Sequence, residues 1–343
     1  MQRFEWVNAQ SEAEAAGSGA TTVAAAMIVP TGGRSLQDAV IVKAGGIDLL
    51  DLMKEGLLQP RRIVNLRRVT GLDQIVEDKD GAVRVGSMVT LAHVADHPII
   101  LKRYTALADA TRHSASPQIR NVATLGGNLL QRPRCWYLRS AHYHCARKGG
   151  ETCFAFGGEN QYHAIFDHNG CAIVHPSTAA TALVALGATV ELVNAEGSKR
   201  VVPLEEFFLL PDKDIHRENN LKPSEILSAV VLPNLAPSVR SVHLKQGEKD
   251  SFDWPIADVA VLLDRDPDDL CQRVSIILGA AAPVPHRAKS AEAALRGKPV
   301  QEQTAREAAR AALAGAAPLT KNAYKLPIFE TLVQRAILAA GQA

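Results

Sequence analysis

Four of the five cysteines, Cys135, Cys145, Cys153 and Cys171, fall within one stretch of 37 residues, spaced C-x9-C-x7-C-x17-C. Thiolates are soft metal ligands, so four of them gathered in a cysteine-poor chain point to a metal site. Cys271 stands apart, just before the strand-like run Val274-Ser-Ile-Ile-Leu278, and reads as a buried thiol. Iron–sulfur clusters are held by four thiolates. Zinc is the rival reading, because His142, His144, His163, His168 and His175 lie nearby. Structural zinc sites use short C-x2-4-C knuckles, however, and none occurs here. The long, irregular spacing suits a 4Fe–4S cluster wrapped by a loop, with each histidine a loop or surface residue and not a ligand.

Two glycine-rich turns carry a second kind of chemistry. One is Lys43-Ala-Gly-Gly-Ile-Asp-Leu49, between a strand-like run and a helical pattern. The other is Gln118-Ile-Arg-Asn-Val-Ala-Thr-Leu-Gly-Gly-Asn128, immediately before the cysteines. Paired glycines let backbone N–H groups approach a phosphate closely, and the neighbouring hydroxyl and amide side chains suit phosphate oxygens. Taken singly, each turn is weak and a Gly-Gly turn without a ligand explains it as well. Together they could cradle opposite sides of one dinucleotide. Neither fits G-x-G-x-x-G, which argues against an ordinary Rossmann site.

These motifs need elements to position them. Residues 40–44 form a short β-rich run and 47–56 follow with helical apolar spacing, Asp48 or Asp51 favouring the helix N-terminal end. Residues 61–66 and 83–86 look like strands. Helices are expected over 90–96, capped by Thr90, and over 106–114. From 131 to 170 apolar periodicity fails, and an irregular segment of that length needs a staple or a function. A helix over 178–186 and a hairpin of 189–194 with 199–203 follow. Beyond Pro233-Asn-Leu-Ala-Pro237, strands at 238–246, 257–264 and 274–279 precede helices at 288–295, 301–313 and 328–340, an α+β arrangement.

Composition excludes several classes. The 343 residues allow two or three domains, and 47% hydrophobic with 22% charged residues is ordinary for a globular protein. A net charge of +2 supplies no broad basic surface for nucleic acid. Five cysteines do not make a disulfide scaffold. No apolar run is long enough for a membrane span, and the first thirty residues lack the pattern of a signal peptide, so the cytoplasm is the expected location by default. Export of a folded complex on a partner's signal would make it periplasmic.

The two glycine motifs resemble the pyrophosphate-contacting loops of the FAD-binding subunit of the molybdenum hydroxylases, the xanthine dehydrogenase and carbon monoxide dehydrogenase group. The resemblance extends to Ile226-Leu-Ser-Ala-Val-Val-Leu-Pro233, to His243-Leu-Lys-Gln246 and to Tyr324-Lys325, nearly the whole chain. It implies an α+β fold: a two-part, PCMH-like FAD-binding domain as in the carbon monoxide dehydrogenase flavoprotein, with an α+β C-terminal domain. The corresponding divisions are 1–60, 61–235 with an iron–sulfur insert at 131–172, and 238–343. The cysteine insert is similar to the branch whose flavin subunit also carries a 4Fe–4S cluster, and its wide last gap followed by His175-Pro-Ser177 is more similar to the periplasmic aldehyde oxidoreductase type.

What this resemblance implies is specific. Lys43, Ala44, Gly45, Gly46, Ile47, Asp48 and Leu49 would line the adenine–diphosphate side of FAD. Thr124, Gly127 and Asn128 would hold the pyrophosphate, Ser114 and Ala115 would sit near the flavin ring, and Leu227 and Lys245 would complete the pocket. Thr178 stands where the family commonly has a cofactor-contacting aspartate; it keeps a hydroxyl and loses the charge. Cys135, Cys145, Cys153 and Cys171 would bind the cluster. The implied partners are a large molybdopterin subunit, a small 2Fe–2S subunit and an external electron acceptor. The chain would then be the electron-transfer subunit of an aldehyde oxidoreductase. The alternatives are the flavin subunit of a 4-hydroxybenzoyl-CoA reductase and a non-catalytic, zinc-stapled binding protein.

Overall fold

The computed structural model describes residues 2–29, 36, 38–249 and 252–342. Three sheets organise the described residues. The first is parallel, with Arg62–Asn65 between Glu5–Asn8 and Val40–Lys43. Parallel strands need a crossover, and the helix Ile47–Lys54 supplies it. It starts at Gly46, whose φ of +88° is the left-handed conformation that glycine adopts without penalty. Its apolar side, Leu49, Leu52 and Met53, packs with Ile41 and Ile63 of the sheet. The same cluster takes Tyr137, Leu138, Cys145, Ala155 and Ala172 from the irregular segment. The insert is therefore built onto the core of the N-terminal unit.

The second sheet is antiparallel, in the order Ile75–Glu77, Val83–Gly86, Glu225–Leu232, Thr189–Asn194, Lys199–Pro203. Its central strand comes from late in the chain. The helices Leu91–Asp96, Thr105–Arg112 and Thr178–Ala185 share its core. Thr90 caps the first of these, its hydroxyl accepting from the His93 N–H. The third sheet is antiparallel, ordered His286–Arg287, Cys271–Gly279, Ala257–Arg265, Arg240–Gln246. Strand alternation divides its side chains between two cores. Val259, Val261 and Leu263 pack with the helices Lys289–Leu295, Glu302–Ala311 and Lys325–Gln342. Ala260, Leu262 and Ile277 join the core of the second sheet. Two apolar clusters thus meet back to back at one sheet.

Most expected elements are present with ends shifted by a few residues, as in Ile47–Lys54 for 47–56 and Thr105–Arg112 for 106–114. Others went unread. Glu5–Asn8 and Ile75–Glu77 are short and largely exposed, with little apolar pattern to betray them. Leu125–Leu129 is a single helical turn containing both glycines of its motif, and intrinsic propensity argues against it. Asp48 stands in the first turn of Ile47–Lys54, as expected, and Asp51 lies a turn further on. Both acidic side chains are engaged by arginines of the insert, as described next.

Candidate functional site: a long cavity beside a pocket of four thiols

A cavity of about 620 Å³ opens where the first two sheets meet the edge of the third. Every flavin-contact residue named from the sequence lines it: Lys43 through Leu49, Ser114, Ala115, Thr124, Gly127, Asn128, Thr178, Leu227 and Lys245. The two glycine turns, distant in sequence, touch there. A Cβ on Gly45 would stand 2.3 Å from the carbonyl oxygen of Val122, so this backbone contact is open to glycine alone. Thr124 caps the following helical turn through its hydroxyl, which accepts from the Gly127 N–H at 3.2 Å. Asn128 Oδ1 accepts from Ser177 Oγ at 2.5 Å, tying the second turn to the helix Thr178–Ala185. A concave slot with exposed backbone at its polar end has the size and chemistry for a dinucleotide-sized ligand.

The other end of the slot is set by hydroxyls. Ser114 Oγ and Thr178 Oγ1 lie 2.6 Å apart and both reach the Ala110 carbonyl. Ala115 has φ +54°, an unusual conformation for a residue with a Cβ, and one often found where a backbone is held for function. Lys245 Nζ donates to the His113 carbonyl at 3.0 Å. Burial pushes the pKa of both Lys43 and Lys245 down. The wall also contains residues that no motif announced. Arg134 lies over the Trp254 ring at 4.7 Å, and Arg132 and Glu218 form a buried pair at 3.2 Å. Arg132 and Arg134 could have been suspected from their position just after Asn128; Glu218 had no sequence signal.

Beside this slot, Cys135, Cys145, Cys153 and Cys171 line one small, enclosed pocket, with Tyr137, Leu138, Arg147, Phe154 and Ile173 completing it. All four thiols are free, and Cys271 is buried elsewhere, at the start of its strand. Hydrogen bonding from the Cys153 thiol, with Arg147 alongside, holds the Cys171 thiol down to about 5. Burial pushes Cys135 up to about 12. Among the described residues no three or more His, Cys, Asp or Glu side chains close round one point as a single ion requires. The space between the four thiols is small, about 10 Å³, and its donor set of four sulfurs without a histidine is the kind that iron–sulfur centres use.

The histidines divide. His142 and His144 are exposed, and His168 reaches the Ala317 carbonyl and the Phe156 ring. His163 and His175 lie in loop as expected but are buried, and burial lowers them to about 4 and about 3. His163 Nε2 lies 3.3 Å from Cys135 Sγ. No histidine lines the thiol pocket.

Comparison with known proteins agrees with this geometry. The family described as "FAD binding domain in molybdopterin dehydrogenase" matches residues 2–235, and "CO dehydrogenase flavoprotein C-terminal domain" matches 242–340. The aldehyde oxidoreductase FAD-binding subunit PaoB of Escherichia coli K12 is 34% identical over 285 residues, 82% of this chain and 86% of that one. The nicotine 6-hydroxylase medium subunit of Paenarthrobacter nicotinovorans is 29% identical over 311 residues, covering 89% and 90%. A solved carbon monoxide dehydrogenase from Hydrogenophaga pseudoflava superposes with a TM-score of 0.73 at 25% identity, over 99% of this chain and 97% of that one. With both halves matched and the site residues gathered in one cavity, the chain belongs to the FAD-binding medium subunits of the molybdenum hydroxylase family.

Proposed function

We propose that this oxidoreductase subunit carries both FAD and a 4Fe–4S cluster, and passes electrons between a molybdenum-dependent aldehyde oxidoreductase and an external acceptor. The observation that carries the reading is that the cavity lined by both glycine turns and the pocket lined by the four thiols are joined by one ion pair, Glu218 of the first with Arg147 of the second. The flavin would accept electrons singly or in pairs, and the cluster one at a time. The chain's own contribution is placement. Gly45, Gly46 and Gly127 let backbone amides come close to the diphosphate. Ser114, Thr178 and Lys245 set the polarity around the ring. Tyr137, Phe154 and Ile173 keep water from the thiols. Aldehyde as substrate is supported by the likeness to the aldehyde oxidoreductase FAD-binding subunit, and a molybdopterin partner by the matched family of molybdopterin dehydrogenases; a 2Fe–2S subunit is the further partner that the sequence resemblance implies.

Cofactor analysis tests this directly. Denatured protein should release FAD, identified by chromatography, and native protein should contain four iron and four sulfide per chain. Serine at Cys135, Cys145, Cys153 or Cys171 should abolish or degrade the cluster, whereas Cys271→Ser should leave it intact. Released FMN, stoichiometric zinc, or a cluster indifferent to the four cysteines would reject the reading.

A further inference from the structure

One side chain belongs to both cavities' surroundings. Arg147 lines the thiol pocket, where its Nε donates to Cys171 Sγ at 3.5 Å. Its Nη1 donates to Glu218 Oε1 at 2.8 Å, and Glu218 lines the flavin cavity. The other Glu218 oxygen meets Arg132 at 3.2 Å. Arg132, Arg147 and Glu218 are all buried, Arg147 at 1% exposure. An ion-paired chain thus runs from the thiol pocket to the flavin cavity.

Charge counting shows what this chain suits. Arg132 balances Glu218. Arg147 and its neighbour Lys148, also buried, remain beside the thiols, and Lys148 interacts with Cys145 and Cys135. Two buried cations need negative charge beside them, or their burial is costly. An oxidised four-iron core held by four thiolates carries two net negative charges, which these cations offset. Arg147 Nη2 is buried with no hydrogen-bond partner among the described residues, so the guanidinium has a donor to spare.

We propose that Arg147 is a positioning residue for the iron–sulfur centre: it orients the Cys171 thiolate, raises the centre's reduction potential by its charge, and couples that potential through Glu218 to the flavin cavity. The inference rests on the reading that the four cysteines hold a 4Fe–4S cluster. Reduction adds one electron and makes or breaks no bond. A cation in hydrogen-bond contact with a ligand sulfur favours the more negative state, strongly so in a poorly solvated pocket. The Glu218 carboxylate opposes it.

The test is potentiometric titration of the full chain with dithionite and mediators, following the cluster by electron paramagnetic resonance and the flavin by absorbance. Iron and sulfide are counted first. Arg147→Gln should lower the cluster's potential, cutting the reduced-to-oxidised ratio at the wild-type midpoint by about tenfold. Arg147→Lys should recover most of that loss. Glu218→Gln should shift in the opposite sense and raise the cluster and flavin potentials together. Loosened structure alone would not produce opposite signs at the two ends of one ion pair. An intact cluster with unchanged potential in Arg147→Gln, or Glu218→Gln moving in the same direction, overturns the inference. If Arg147→Gln loses its cluster, Glu218→Gln decides: a joint rise supports the coupling, and no shift overturns it. Wild-type protein lacking iron and sulfide rejects the underlying reading, and this inference with it.

Discussion

Asp48 Oδ1 accepts a hydrogen bond from Arg139 Nη2 at 2.6 Å, joining the first glycine turn to the cysteine insert across 91 residues. The same oxygen meets Arg134 Nη2 at 2.9 Å, and Oδ2 takes the backbone N–H of Arg132 at 2.9 Å. Asp51, one helical turn on, pairs with Arg139 at 3.0 Å but is half exposed. One carboxylate therefore clamps the beginning of the insert while its backbone lines the flavin cavity.

Asp48→Asn should cost about 2 kcal/mol, the scale of hydrogen bonds to a charged group, read from urea unfolding. It should also speed proteolysis within 131–172 and lower flavin content in the same preparation. Asp51→Asn should cost under about 1 kcal/mol, as solvent-screened pairs do. Equal effects from the two variants would show that Asp48 is no clamp.

The glycines separate fold from ligand. Gly45 is required by the fold, because its Cβ would meet the Val122 carbonyl. Gly127 is not: its nearest obstacle is the Thr124 hydroxyl at 3.1 Å, and its φ is unremarkable. Gly45→Ala should therefore destabilise by about 1–3 kcal/mol. Gly127→Ala, within a helical turn, should leave the thermal midpoint of flavin-free protein unchanged or raised, since alanine favours helix by about 0.5–1 kcal/mol. It should nevertheless purify with little FAD, because the methyl group occupies the surface a diphosphate must approach. Full flavin content in Gly127→Ala would remove this turn from the cofactor site.

Much of this site was legible because its signals are local. Gly45-Gly46 and Thr124 to Asn128 each declare their chemistry within a few residues and meet in one cavity, and the four cysteines, confined to one stretch, meet in the pocket beside it. What escaped was non-local. Arg147 and Glu218 are 71 residues apart and neither sits in a periodic pattern, so only the fold reveals their pairing. Thr178 was marked as a lost charge. Its contact with Ser114 shows a hydroxyl pair at that point instead. The strand Glu225–Leu232 was quoted as a motif but not placed, because a strand buried on nearly every residue lacks the alternation that identifies one. His163 and His175 lie in loop as expected, but their burial was not foreseen, because burial within an aperiodic segment leaves no trace in sequence.

Lys325 makes the fold's stability depend on alkaline pH. It is fully buried at the start of the last helix, donating to the carbonyls of His163 and Ala280. Burial lowers its pKa to about 7, although Asp258 partly offsets the effect. In the unfolded chain it titrates near its ordinary value of 10.5. Between these values the unfolded state binds one more proton than the folded state at this site. Stability from this group therefore rises with pH through that window, by up to about 1.4 kcal/mol per unit, and is lost as pH falls towards 7. Lys325→Met keeps the length of the side chain and removes the titration. Urea midpoints of both proteins from pH 7 to pH 10 should show the wild type gaining on the variant as pH rises. Parallel curves would mean that Lys325 is protonated throughout, held as an ammonium by its two carbonyls.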